Sequence, residues 1–115
     1  MGRLGGQERD EIPGGVLYLL ILRTLSRGVM HGYQIAEHIQ ELSGEVLLIE
    51  EGTLYPTLQR MFVKGRVVAE WGHSINNRRA RYYRLTPAGR KQLQKEMAQY
   101  ERMNAAILRV LQPAV

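Results

Sequence analysis

The stretch Glu51-Gly52-Thr53-Leu54-Tyr55-Pro56-Thr57-Leu58-Gln59-Arg60-Met61-Phe62-Val63-Lys64 decides how the rest of the chain is read. Leu54, Leu58, Met61 and Phe62 stand at i, i+4, i+7 and i+8, the spacing of one buried helical face. With each residue turned by about 100°, the opposite side carries Thr53, Pro56, Thr57, Arg60 and Lys64. Glu50 and Glu51 bring favourable charge to the helix N-terminus. Pro56 is expected in or near the first turn, where a missing N–H costs little, and Gly65 supplies the stop. Two cations, two hydroxyls and a compact ring on one face suit phosphates and base edges. An ordinary surface helix has the same periodicity, so the decision falls to what surrounds it.

The segment beyond this helix is basic. Between Arg60 and Lys91 there are nine cations (Arg60, Lys64, Arg66, Arg78, Arg79, Arg81, Arg84, Arg90, Lys91) and one acid, Glu70. The whole chain of 115 residues carries a net charge of +5, so everything outside this segment sums to a negative value. Positive charge confined to one segment is the pattern of a footprint for an anionic partner. The length fits one domain with a modest core. There is no cysteine, which excludes disulfides and thiolate metal sites. The longest apolar run, Val16 to Leu22, is far short of the roughly 20 residues that span a bilayer, and no secretory pattern opens the chain. A soluble, cytoplasmic protein without membrane association is expected.

Residues 1–12 hold Gly2, Gly5 and Gly6 among charges without a period, and a flexible N-terminal arm is expected there; Arg3 and Arg9 could touch DNA, but a fraying end is the favoured reading. A first helix runs from Pro13 to about Ser26. Its leucines and isoleucine cover nearly the whole circumference, so it must be buried on more than one side, against another part of the chain or another chain. A second helix, His31 to Leu42, presents Ile35, Ala36, Ile39 and Leu42 inward, with Tyr33 at the end of the core. His31 and His38, seven apart, would share its face, but no further metal ligands accompany them. Val46 to Ile49 form a short extended apolar piece.

After Gly65 the period changes to two. Arg66–Trp71 and Ala80–Leu85 read as strands around a tip rich in Gly and Asn, with Arg81 and Tyr83 on one face and Tyr82 and Arg84 on the other. Thr86-Pro87 is an N-cap followed by proline at the first helical position. The last helix runs to about Leu111. Leu93, Met97, Tyr100, Asn104, Ile107 and Leu111 form a seam at alternating spacings of four and three, with Asn104 as the one polar member. With Leu17 and Leu20 of the first helix, these residues are the expected homodimer contacts.

The order helix, helix, extended piece, helix, strand, basic loop, strand, long helix defines a mostly α fold with a small β-hairpin. It is a winged helix-turn-helix (13–86) with a C-terminal dimerisation helix (87–115). The chain resembles the PadR family of transcriptional regulators. The resemblance is carried by three blocks: Leu25-x5-His31-Gly32-Tyr33-x-Ile35, Glu51-Gly52-Thr53-Leu54-Tyr55-Pro56-x-Leu58 and Arg81-Tyr82-Tyr83-x-Leu85-Thr86-x-x-Gly89. The resemblance runs from about Gly15 to Arg90, with the three blocks in the family's order.

The resemblance implies a dimeric DNA-binding protein, mostly a repressor in that family. Some members are relieved by phenolic acids or flat aromatic drugs held near the dimer interface. It implies that Thr53, Tyr55, Pro56 and Thr57 meet DNA at the start of helix 51–64, with Arg60 and Lys64 further along. Arg78, Arg79 and Arg81 of wing 72–81 would hold flanking DNA. The last helix is short, as in the smaller PadR subfamily. It has no tryptophan, so the drug-stacking site of some relatives does not transfer; Trp71 lies on the wing instead, where core packing or wing support is its expected part. A winged-helix protein-interaction module without DNA is the competing reading, but it leaves the acid-free basic hairpin unexplained. No nucleophile elbow, phosphate loop or HExxH motif points to catalysis, and no cofactor is implied.

Overall fold

In the computed structural model, which describes residues 10–114, the chain enters as a two-residue strand, β1 (Asp10–Glu11). Pro13 then precedes α1 (Gly14–Leu25). Leu17, Leu19, Ile21, Leu22 and Leu25 are all buried, and the helix touches α2 (Gly32–Leu42), α3 (Glu51–Val63), α4 (Pro87–Leu111) and the second wing strand. The all-round apolar character of α1 is thus satisfied inside the chain: three helices and a sheet surround it, and no second subunit is needed for that purpose. Leu17 belongs to this internal core, and Leu20 is partly buried against it.

Between α1 and α2 lies a strand that periodicity does not reveal, β2 (Met30–His31). His31 is therefore not a helical residue but the N-cap of α2. Its Nδ1 accepts from the Gln34 N–H at 3.3 Å, while the His31 N–H donates to Gln34 Oε1 at 3.0 Å, a reciprocal capping box. Ile35 and Ile39 face the core as expected, whereas Leu42 and Tyr33 are exposed. Leu42 is the last residue of α2. After α2, β3 (Leu47–Leu48) pairs in parallel with β1, so the final residues of the expected arm, Asp10 and Glu11, are tied to the segment leading into α3. Met1 to Arg9, with Arg3, lie outside the described residues.

The helix α3 buries Leu54, Leu58 and Met61 almost completely, each worth about 1.5–3 kcal/mol relative to exposure. Phe62, expected on that face, is 38% exposed at its edge. Pro56 sits inside the helix rather than in its first turn, because the helix already begins at Glu51. It therefore withholds an intrahelical donor from the Gly52 carbonyl. The wing is built from β4 (Val67–His73) and β5 (Arg79–Leu85), both reaching closer to the tip than sequence suggested. They are antiparallel, and β2 adds to β5 to make a sheet of order β2-β5-β4. The tip closes through Ser74 N–H to the Arg78 carbonyl and Asn77 N–H to the Ser74 carbonyl, both 2.8 Å. Asn77 takes a φ of 57°, a left-handed conformation that asparagine tolerates in a tight loop.

Thr86 joins wing to last helix. Its hydroxyl donates to the Gly65 carbonyl at 2.7 Å and accepts from the Gly89 N–H at 3.0 Å, and its own N–H donates to the Arg66 carbonyl. Gly89 lies so close to that carbonyl that a Cβ there would collide with it. Leu93 is buried and Met97 partly buried against the core, α1 being the helix's main neighbour. From Ala98 to the end of α4 every residue is exposed. With 25 residues, α4 is about 37 Å long and extends well past the core.

Candidate nucleic-acid interface

The exposed stripe of α3 consists of Thr53, Pro56, Gln59, Arg60 and Val63, continued by Lys64 at the C-cap. Gln59 is absent from the residues that sequence singles out. Its position three residues after Pro56 and four before Val63 is the available signal, and its amide offers both a donor and an acceptor to a base edge. Thr57, in contrast, does not belong to this stripe. It is only 2% exposed, its Oγ1 donates to the Thr53 carbonyl at 2.7 Å, and it accepts from Arg60 Nη2 at 3.1 Å. Three residues after Leu54 and next to Leu58, it falls on the flank of the buried face. It orients Arg60 from behind.

Tyr55 is 43% exposed at the edge of the helix. Its ring lies against Gly32 at the start of α2, where a Cβ would stand 2.6 Å from the ring and 2.8 Å from the hydroxyl. Burial above all, then the negative charge of Glu51 and the neighbouring Tyr83, pushes its pKa above the ordinary 10.0. The phenol thus keeps its proton, and its donor, to higher pH than an ordinary tyrosine.

The wing arginines differ from one another. Arg78 is exposed at the tip. Arg79 is exposed and stacks its guanidinium 4.3 Å from the Trp71 ring centroid. Arg81 is half-buried, 4.9 Å from the ring of Phe62 and 5.9 Å from that of Tyr83, so it joins the wing to α3 rather than projecting from it. Trp71 is 59% exposed and is no part of the core. Arg66 donates to the Tyr18 hydroxyl at 2.8 Å, which anchors the root of the wing to α1 and takes this cation off the exposed basic face. Tyr82, on the other face of the sheet, donates to the His73 carbonyl and packs edge-on against His31.

Of the residues assigned to a dimer, Leu17 and Leu93 are buried within the chain, and Leu20 and Met97 are partly so. Tyr100, Asn104, Ile107 and Leu111 are exposed on α4, beside Met103, Leu108 and Val110. Among the described residues no helix is long and apolar enough to cross a membrane.

This architecture has close counterparts. Residues 21–95 match the Transcriptional regulator PadR-like family. The chain is 34% identical over 98 residues to the transcriptional regulator Rv3488 of Mycobacterium tuberculosis, covering 85% of this chain and 88% of that protein. A transcriptional regulator from Clostridium thermocellum superposes with a TM-score of 0.78 at 28% identity, covering 85% of this chain and 95% of the other. A PadR family transcription regulator from Clostridium difficile superposes at 0.72 with 26% identity, covering 84% and 98%. The chain belongs to the PadR-like family of transcriptional regulators. Its winged helix and the three sequence blocks that suggested the family agree with that membership.

Proposed function

We propose that this regulator is a homodimeric, sequence-specific DNA-binding repressor. It reads a pseudo-palindromic operator with residues 51–64 in the major groove, while wing 72–81 lies on flanking DNA. The reading is carried by one combination: a solvent-facing stripe of Thr53, Pro56, Gln59, Arg60 and Lys64 on α3, beside a hairpin with no acid between Trp71 and Leu85. Phosphates supply the affinity for such a basic face, and the polar α3 stripe supplies discrimination between base edges. Dimerisation through α4 is supported by the exposed apolar residues Tyr100, Met103, Ile107, Leu108 and Leu111. A cytoplasmic location goes with this role.

Relief by a small flat aromatic effector is part of the same proposal. Two clefts among the described residues, one beside Ile12, Leu17 and Thr53 and one beside Val29, Tyr82 and Arg84, measure about 80 and 100 Å³. Drug-sized ligands occupy roughly 300–1,000 Å³. Neither cleft would hold such a ligand, and the effector is proposed to sit between subunits, along Met97, Tyr100 and Met103. The central test is selection of bound duplexes from a random pool followed by sequencing. The expected product is a two-fold-related pair of half-sites about one helical turn apart, bound less tightly as salt rises. A pool that shows no enrichment removes the sequence-specific reading.

A further inference from the structure

Three arginines stand on or beside the wing tip, yet their surroundings give them separate tasks. Arg81 is committed to Phe62 and Tyr83. Arg79 is held by an indole that is itself mostly open to water. In the β4–β5 register Trp71 lies opposite Arg81 and His73 opposite Arg79. Trp71 and Arg79 are therefore diagonal neighbours on one face of the hairpin, within reach of long side chains. The 4.3 Å separation is well inside the range at which a cation is attracted to an aromatic face.

We propose that Trp71 is a positioning residue that holds the Arg79 guanidinium in place for the DNA backbone. The inference rests on the proposed DNA binding. Stacking uses the flat face of the guanidinium and leaves its N–H edge free, and that edge is what grips phosphate oxygens in pairs. A free arginine gives up rotamer freedom when it binds; one already laid on a ring gives up less. Burial does not account for the indole, which remains 59% exposed. No carboxylate in the hairpin between Trp71 and Leu85 competes for the cation.

The test compares the intact protein with Arg79→Ala, Trp71→Ala, Trp71→Leu, Trp71→Phe and the Trp71→Ala/Arg79→Ala double variant. Each is titrated with a random-sequence DNA duplex over a range of salt concentrations. Arg79→Ala should weaken binding about three- to tenfold and reduce the slope of log affinity against log salt by about one. Trp71→Ala should reproduce most of the loss in affinity while the slope stays nearer the parent's, because the Arg79 cation remains, and the double variant should bind no worse than Arg79→Ala. Trp71→Leu, which keeps bulk without an aromatic face, should behave like Trp71→Ala even if the smaller residue disturbs folding. Trp71→Phe should stay within about twofold of the parent, because a ring face remains. The inference is overturned, with DNA binding intact, if Trp71→Leu binds like the parent or if the losses of Trp71→Ala and Arg79→Ala multiply in the double variant. A parent protein that binds no duplex at low salt overturns the DNA reading and this inference together.

Discussion

Gly32 and Tyr55 are locked together: the tyrosine ring occupies the volume that any larger residue at 32 would need. The first residue of α2 thereby sets where a phenol at the edge of α3 points. Gly32→Ala would place a Cβ 2.6 Å from the ring, and the ring must swing outward. Because the obstructing atoms are the far end of a half-exposed side chain, the expected stability loss is near the lower end of the 1–3 kcal/mol typical of overpacking, about 1 kcal/mol. In a Tyr55→Ala background the same substitution should cost almost nothing. Urea denaturation of the two singles and the double variant checks this, and additive losses would contradict the lock.

Tyr55 also gives a pH prediction. Its folded pKa lies above the unfolded value of 10.0, so the folded state holds its proton more tightly. The corresponding stability is fully present below pH 10 and is lost as pH rises through the folded value. Tyrosinate absorbance should show one late-ionising phenol that is missing from Tyr55→Phe. Stability measured above pH 10 should fall more steeply in the parent than in that variant. An ordinary titration of all six tyrosines would remove the effect.

Gly89 is a harder constraint than Gly32. The atom facing it is the backbone carbonyl of Arg66, which also accepts the Thr86 N–H, and backbone cannot rotate aside. Gly89→Ala should therefore cost about 3 kcal/mol, the upper end of the overpacking range, and separate the start of α4 from the wing root. Gly15→Ala is the control. It meets nothing within 4 Å, so it should be neutral or stabilising by up to about 1 kcal/mol through better helix propensity. Chemical denaturation midpoints measure both.

The helices and the hairpin are legible in the sequence because each has a long enough run for its period to show. The two-residue strand β2 is not, since two residues carry no period and its strand character comes from Tyr82 and Tyr83. The strand β3 falls inside the extended piece Val46 to Ile49, and only its pairing with Asp10 and Glu11 is hidden. The helix read as 51–64 starts at Glu51 as expected, and that start is what makes Pro56 an interior residue rather than a first-turn one. The heptad-like seam is apolar as its spacing indicates, but spacing alone does not tell which members find partners at home. Leu93 packs on the chain's own core, whereas Ile107, two heptads later, lies beyond it. The distinct surroundings of Arg79 and Arg81 depend on strand register and cannot be seen in composition.

Thr57 supplies a prediction opposite to the one its place in the sequence suggests. As a buried hydroxyl that accepts from Arg60, it acts behind the interface. Thr57→Val keeps the volume but removes the acceptor, and it should cost about 1–2 kcal/mol in stability. Under the proposed DNA reading, it should also blur base preference wherever Arg60 reads the groove, without changing the salt slope. Selection of duplexes with the variant measures the preference. Unchanged base preference in the variant would separate the Thr57 hydroxyl from base reading by Arg60.

Ile107 tests the proposed dimer with little risk to the fold. It is 49% exposed on the part of α4 that extends beyond the chain's own core, so Ile107→Glu disturbs no internal packing. If α4 pairs with its counterpart, a carboxylate there must lose water on association without a partner cation prepared for it, and the dimer should dissociate. Sedimentation should then report a monomer with unchanged helical circular dichroism. Operator affinity should fall by about a hundredfold or more, because each half-site must be bound without the effective concentration that linkage supplies. Binding to a single half-site should change little. A variant that remains dimeric would move the interface away from this face of α4, and a monomer that still binds the full operator at parental affinity would remove the need for a dimer in recognition.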